Sequence, residues 1–278
     1  MKFYPSIFLR EVILFGATLA LGIFTTLKYL STLSGVEVLQ PSAINTTDVI
    51  IFIAILAVVW FISRIPRLAG WMFWIFLCLL VFSGTQIVVL PFVTALWSTI
   101  IPLIAVLVFL LVRNVLVHDL AIICAIAGVG AVVGSQITPT FAVLVFIVFS
   151  FYDIIAVYST RHMVQIAQGM IQSGAIFGFV IPPNFKSFFA HRREAQARIG
   201  EDFMILGSGD IGLPVIFVST LVRQSLHEAI FVGVFALIGL LCTHILFMSQ
   251  SKRAPMAALP PIATMTILGY VISLLLRF

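Results

Sequence analysis

Charge is almost missing from most of this chain. Of 278 residues only 9% are Asp, Glu, Lys or Arg while 62% are hydrophobic, against about 25% charged in an ordinary soluble domain. Apolar runs of this length are solvated by lipid. Inside a bilayer every backbone N–H and C=O needs a partner within the protein, which leaves helices or a closed barrel. Barrel strands read as short alternating segments, whereas these runs are continuously apolar. At about 20 residues per span, the sequence predicts an all-α, polytopic membrane helix bundle of about nine transmembrane helices. They lie near 12–30, 48–63, 68–88, 92–112, 119–136, 139–159, 203–222, 228–248 and 257–276. No small-residue cleavage site follows the first run, so it reads as a membrane helix rather than a removable signal.

The longest interruption, 160–202, separates a six-helix part (1–159) from a three-helix part (203–278) of one structural unit. Its first half, 163–181, is mostly apolar, with Gln165, Gln168 and Gln172 on one helical face. Three readings remain open for it: an interfacial helix, a continuation of the sixth span, or a loop broken by Gly169, Gly174 and Gly178. Pro182 and Pro183 end it, and FKSFFAHRREAQARIGED reads as a solvated connector.

On nine spans, Lys28, Arg223 and Arg277 are the 3 basic residues on the C-terminal side, and the other 12 of the 15 fall on the side of the N-terminus. The positive-inside rule then gives a cytoplasmic N-terminus and an external C-terminus. The basic excess therefore encodes topology, and nucleic acid is not an expected partner. Cys78, Cys124 and Cys242 are scattered through apolar runs without metal or disulfide spacing and read as inert thiols. There is no H-E-x-x-H and no G-x-S-x-G, so neither a metal nor another cofactor is expected. His244 reads as a hydrogen-bonded packing residue; His118, His162, His191 and His227 carry no spacing signal. The tryptophans read as interface anchors or packing groups.

Two acids stand apart. Eight of the ten acidic residues fall near helix ends or in loops, but Asp153 (FSFYDIIAVYS) and Asp210 (ILGSGDIGLPVIF) lie within predicted spans. An ionisable group inside a membrane helix costs at least a few kcal/mol and points to function. Asp153 precedes Arg161 by eight residues and Asp210 follows Asp202 by eight. At 1.5 Å per residue, both would sit about 12 Å inside the same boundary, on consecutive antiparallel helices. Gly207 and Gly209 would allow those helices to approach. Two neighbouring carboxyls cannot readily both ionise, so they share a proton. One can then activate water while the other polarises a carbonyl. A proton relay in a transporter or channel is the competing use of such a pair, although no repeated half with interrupted helices supports it.

Tyr152-Asp153 in the sixth span, Gly207-Ser208-Gly209-Asp210 in the seventh and Ala257-Ala258-Leu259-Pro260 before the ninth resemble the Y-D, G-x-G-D and P-A-L marks of the presenilin and signal peptide peptidase intramembrane aspartyl proteases. The resemblance covers essentially the whole chain. YDIIAVY and the cytoplasmic N-terminus are the presenilin-like features. It implies hydrolysis of peptide bonds within transmembrane helices, with Asp153 and Asp210 catalytic. It also implies that Tyr152, Gly207, Ser208, Gly209 and Ala257 to Pro260 support the site or bind substrate. Ala257 stands where the family has proline, unless Pro255 serves in a shifted register. The implied partners are transmembrane peptide substrates and the lipid bilayer, with homo-oligomerisation left open. The short N-terminal tail and compact loop suggest a prokaryotic, archaeal homologue of the plasma membrane that needs no partner subunits and does not mature by cutting its loop.

Overall fold

A computed structural model describes residues 5–32, 66–159, 162–200, 203–250 and 255–276. Ten α-helices carry the described chain: α1 (Pro5–Thr32), α2 (Pro66–Val89), α3 (Trp97–Leu111), α4 (Val115–Gln136), α5 (Pro139–Ile154), α6 (His162–Ser173), α7 (Arg192–Ala197), α8 (Ser208–Leu221), α9 (Leu226–Met248) and α10 (Leu259–Leu276). Six of the described helical segments are long and apolar enough to cross a membrane, and α3 and α8 are shorter apolar helices. The polytopic helical bundle is therefore as expected. The second expected span, 48–63, lies outside the described residues.

Helix starts follow from local side chains. Asn114 accepts the Val117 N–H at 2.8 Å ahead of α4, and Thr138 accepts the Phe141 N–H at 3.3 Å ahead of α5, with Pro139 in the first turn. Such caps satisfy donors that the first turn leaves free. The hub is α4, which packs against α1, α2, α8 and α3. Small residues permit this crowding: a Cβ at Gly22 or Gly130 would meet Val215, and one at Gly134 would strike Ile216 O and Ser219. Gly134→Leu should therefore push α8 off α4 and destabilise the protein by about 1–3 kcal/mol. Thermal unfolding in detergent checks this, and an unchanged midpoint would refute the close-contact account.

Between the six-helix and three-helix parts, the chain departs from a plain loop. Helix α6 ends at Gly174, whose φ of 76° is the left-handed conformation that closes helices and favours glycine. Strand β1 (Gly178–Ile181) follows and pairs antiparallel with β2 (Met204–Gly207), Gly178 opposite Gly207 and Ile181 opposite Met204. The seventh span was expected to be helical from 203. Instead residues 204–207 are extended, because their backbone groups are satisfied by β1 rather than by a helical turn. The connector expected to be solvated is also partly buried. Phe188, Arg192 and Ala195 pack inside, and the segment is stitched to the α3–α4 turn by Arg192 N–H to Arg113 O at 2.6 Å and Val115 N–H to Ala190 O at 3.2 Å.

One further polar link crosses the bundle. His244 Nδ1 on α9 lies 2.9 and 3.0 Å from the two carboxylate oxygens of Glu11 on α1. His244 is thus a packing histidine in the sense expected, with a carboxylate partner that the sequence did not reveal.

Candidate active site

Asp153 lies in the last turn of α5, followed at once by a single π-helical stretch, Ile155–Ser159. Such wide turns are rare and recur at functional sites. The Asp153 side chain is only 6% exposed, and its Oδ2 accepts the backbone N–H of Leu259 at 3.3 Å. Leu259 is the first residue of α10, so the acid of one helix is held by the N-terminus of another. Ala257 and Leu259 are themselves buried, at 6% and 4% exposure, and Ala258 O accepts a hydrogen bond from Thr243 Oγ1 at 3.2 Å on α9. Contact of α9 with α10 is close enough that a Cβ on Gly239 would sit 2.6 Å from Ile262 Cα.

Asp210 is the third residue of α8. Its carboxyl reaches back to the backbone N–H of Gly207, the residue that caps the helix. This is half of a capping box, in which the third helical residue satisfies the donor at the cap. Gly207 suits the arrangement because a Cβ there would lie 3.2 Å from Asp210 Oδ2. The sequence-based depth for Asp210 therefore rests on the wrong geometry, since extended residues rather than a helical turn precede it. The helices that carry the two acids do meet: α5 packs on α8, and Asp153 lies within electrostatic reach of Asp210. Two helix N-termini, each with a partial positive charge, face this acid pair.

Of the other expected site residues, Ser208 and Gly209 form the first turn of α8, with Gly209 exposed. The Ser208 N–H donates to Phe177 O at 3.1 Å, just before β1. Pro260 follows Leu259 in the first turn of α10 and is part-buried. Tyr152 is not gathered in: its side chain is 53% exposed and packs edge-on against Phe149.

Sequence reasoning missed a second buried acid beside the hairpin. On α4, Asp119 Oδ1 accepts the Val180 N–H at 2.9 Å, and His118 Nε2 lies 3.0 Å from Gly178 O. Both side chains are fully buried. Alternate residues of a strand direct their backbone groups to opposite edges, so α4 holds one edge of β1 while β2 occupies the other. The signal was available as adjacent polar residues, His118-Asp119, in an otherwise apolar run. Their position near a helix end made them look solvated. Glu11 and Glu228, at 2% and 4% exposure, were concealed in the same way.

Residues 42–277 match the family described as signal-peptide peptidase, presenilin aspartyl protease, and the chain belongs to that family. It is an intramembrane aspartyl protease, an aspartic endopeptidase embedded in the membrane. Two solved structures, each of a presenilin family intramembrane aspartate protease, share its fold. One, in a C222 crystal form, superposes with a TM-score of 0.62 at 20% identity, covering 95% of this chain and 99% of its own. The other, in a P2 form, gives 0.55 at 20% identity, covering 93% and 95%. No curated protein matches the chain.

Proposed function

We propose that Asp153 and Asp210 are the catalytic pair and that they hydrolyse peptide bonds within transmembrane segments of membrane proteins. One carboxylate takes a proton from water as the water oxygen attacks the scissile carbonyl carbon. The other, protonated, hydrogen-bonds the carbonyl oxygen. Transfer of a proton to the departing nitrogen then breaks the C–N bond. The observation that carries this reading is that α5 and α8 pack together, each bearing an acid held by a backbone N–H at a helix N-terminus. Each part of the chain, 1–159 and 203–278, contributes one acid.

A substrate helix hides its carbonyls in hydrogen bonds, so it must unwind before cleavage. Among the described residues β2 pairs only with β1, and its outer edge leads directly to Asp210. An extended peptide could add there by main-chain hydrogen bonds, which presents its carbonyls to the acids. In the Ala257 to Pro260 segment, Ala257 and Leu259 are buried and the Leu259 N–H holds Asp153. The basic-residue asymmetry supports a cytoplasmic N-terminus, an external C-terminus and water entry from the cytoplasmic side. The compact connecting loop supports a prokaryotic plasma membrane, and self-association is compatible with all of this.

Purified protein should cleave a reporter transmembrane helix, and a hydroxyl-bearing mimic of the tetrahedral intermediate should compete with that substrate. Cleavage unaffected by saturating mimic would overturn the acid-pair mechanism. Proton-coupled solute flux in vesicles without cleavage would favour a relay instead.

A further inference from the structure

A polar cavity of about 770 Å³ is lined by neither acid. Its walls come from the end of α3, the end of α6 and the start of α7, and include Arg113, His191, Arg192 and Arg193 together with Gln172 and Gln196. Three arginines here have no carboxylate partner among the described residues. The ion pairs found there are Glu194 with Arg198 and Glu11 with His244. Arg192 is held in place by two rings, its guanidinium 4.9 Å from the centroids of both Trp74 and Phe109. Burial, and next the neighbouring charge of Arg113, lower Arg192 to about 10. A buried cation beside a like charge is a cost that an anion would relieve.

The cavity adjoins an apolar groove. Trp74 and Leu110 line both it and a second space of about 510 Å³ between α2 and α3, formed by Ile75, Leu79, Leu103 and Val106 among others. Leu103, Leu79 and Ile75 are more than half exposed and lie on two apolar helices of the bundle. Arg113 follows the last turn of α3, so the basic cavity sits where that helix leaves the apolar layer and the groove runs along the layer itself. A cationic pocket ending an acyl-sized groove has the shape and polarity of one amphiphile.

We propose that this compound site binds an anionic phospholipid, its phosphate on Arg113, Arg192 and Arg193 and one acyl chain between α2 and α3. Basic pockets between membrane helices hold anionic headgroups in this manner. A soluble phosphate would satisfy the arginines, but it would leave the groove unused, and the continuity at Trp74 and Leu110 favours the lipid. The site also touches the turn that begins the hairpin, because Trp74 Nε1 donates to Ser173 O at 2.9 Å and Gln196 Nε2 donates to Ile171 O.

The test is quenching of Trp74 by brominated lipid. With Trp60, Trp71 and Trp97 replaced by phenylalanine, the full chain is placed in phosphatidylcholine nanodiscs doped with brominated phosphatidylglycerol or brominated phosphatidylcholine. The anionic lipid should quench at several-fold lower mole fraction. That preference should fall roughly fivefold for each arginine removed in Arg113→Gln and Arg193→Gln, both exposed positions where folding is not at stake. Val106→Phe, which narrows the groove and leaves the arginines alone, should also weaken it. Equal quenching by the two lipids, or a preference unchanged in the double arginine variant, would overturn the proposal. So would loss of the preference on adding inorganic phosphate at constant ionic strength, since the site would then belong to a soluble anion. None of these readings depends on proteolysis.

Discussion

Asp153→Asn and Asp210→Asn should each abolish cleavage of a reporter helix, lowering turnover by at least about a thousandfold, within the range set by loss of general acid–base catalysis. Asparagine keeps the size of the side chain and an oxygen that can still accept from Leu259 N at position 153 or Gly207 N at position 210. The caps on α8 and the tie to α10 therefore survive, and both variants should remain folded, with thermal unfolding close to that of the parent. Only the ability to take up and release a proton is lost. Because the acids act as a unit, the double variant should be no worse than either single one. Single-turnover cleavage in detergent, with unfolding measured on the same samples, separates this from a folding defect. Turnover within tenfold of the parent in either single variant would mean that the water is activated elsewhere.

The second large effect is expected at Asp119, which touches neither acid. Asp119→Leu leaves the Val180 N–H buried without an acceptor, at a cost of about 1–3 kcal/mol, and frees the edge of β1 from α4. The hairpin sets the position of Gly207 and, three residues on, of Asp210. Since misplacement by about 1 Å can cost a hundredfold in rate, turnover should fall by roughly that factor, with a smaller change in KM. Asp119→Asn retains the accepting oxygen and should recover activity to within a few-fold of the parent. Equal inactivity of the two variants would show that the charge at 119 matters for itself and would sink the account of Asp119 as a residue that positions the strand. His118→Phe, which removes the polar contact to Gly178, should behave like a weaker version of Asp119→Leu.

Much of this arrangement was legible in the residues because lipid imposes strong rules. Charge exclusion made the spans readable, and the rarity of acids inside them singled out Asp153 and Asp210. The failures share one cause. Residues 203–207 carry an apolar pattern that a buried strand and a membrane helix write identically, and only the pairing with β1, more than twenty positions earlier, decides between them. The same long-range contact turned Asp210 from a mid-helix residue into one of the first turn. Likewise Asp119, Glu11 and Glu228 stand near helix ends, where sequence places acids in water, yet Val180, His244 and Ser273 receive them inside. Tyr152, which the motif resemblance joins to Asp153, turns outward towards Phe149 in this structure, because consecutive helical residues point in different directions.

The bond between Glu11 and His244 bears on how the chain is made. Synthesis delivers the glutamate in the first helix and its histidine 233 positions later, so until α9 emerges the acid near that helix's start has no histidine to be buried against. Burying that carboxyl without its partner would cost a few kcal/mol, which leaves the first helix loosely held for most of translation. Chains stopped before the histidine should therefore be prime targets for membrane quality control, while completed ones lock their opening segment as nearly the last act of assembly.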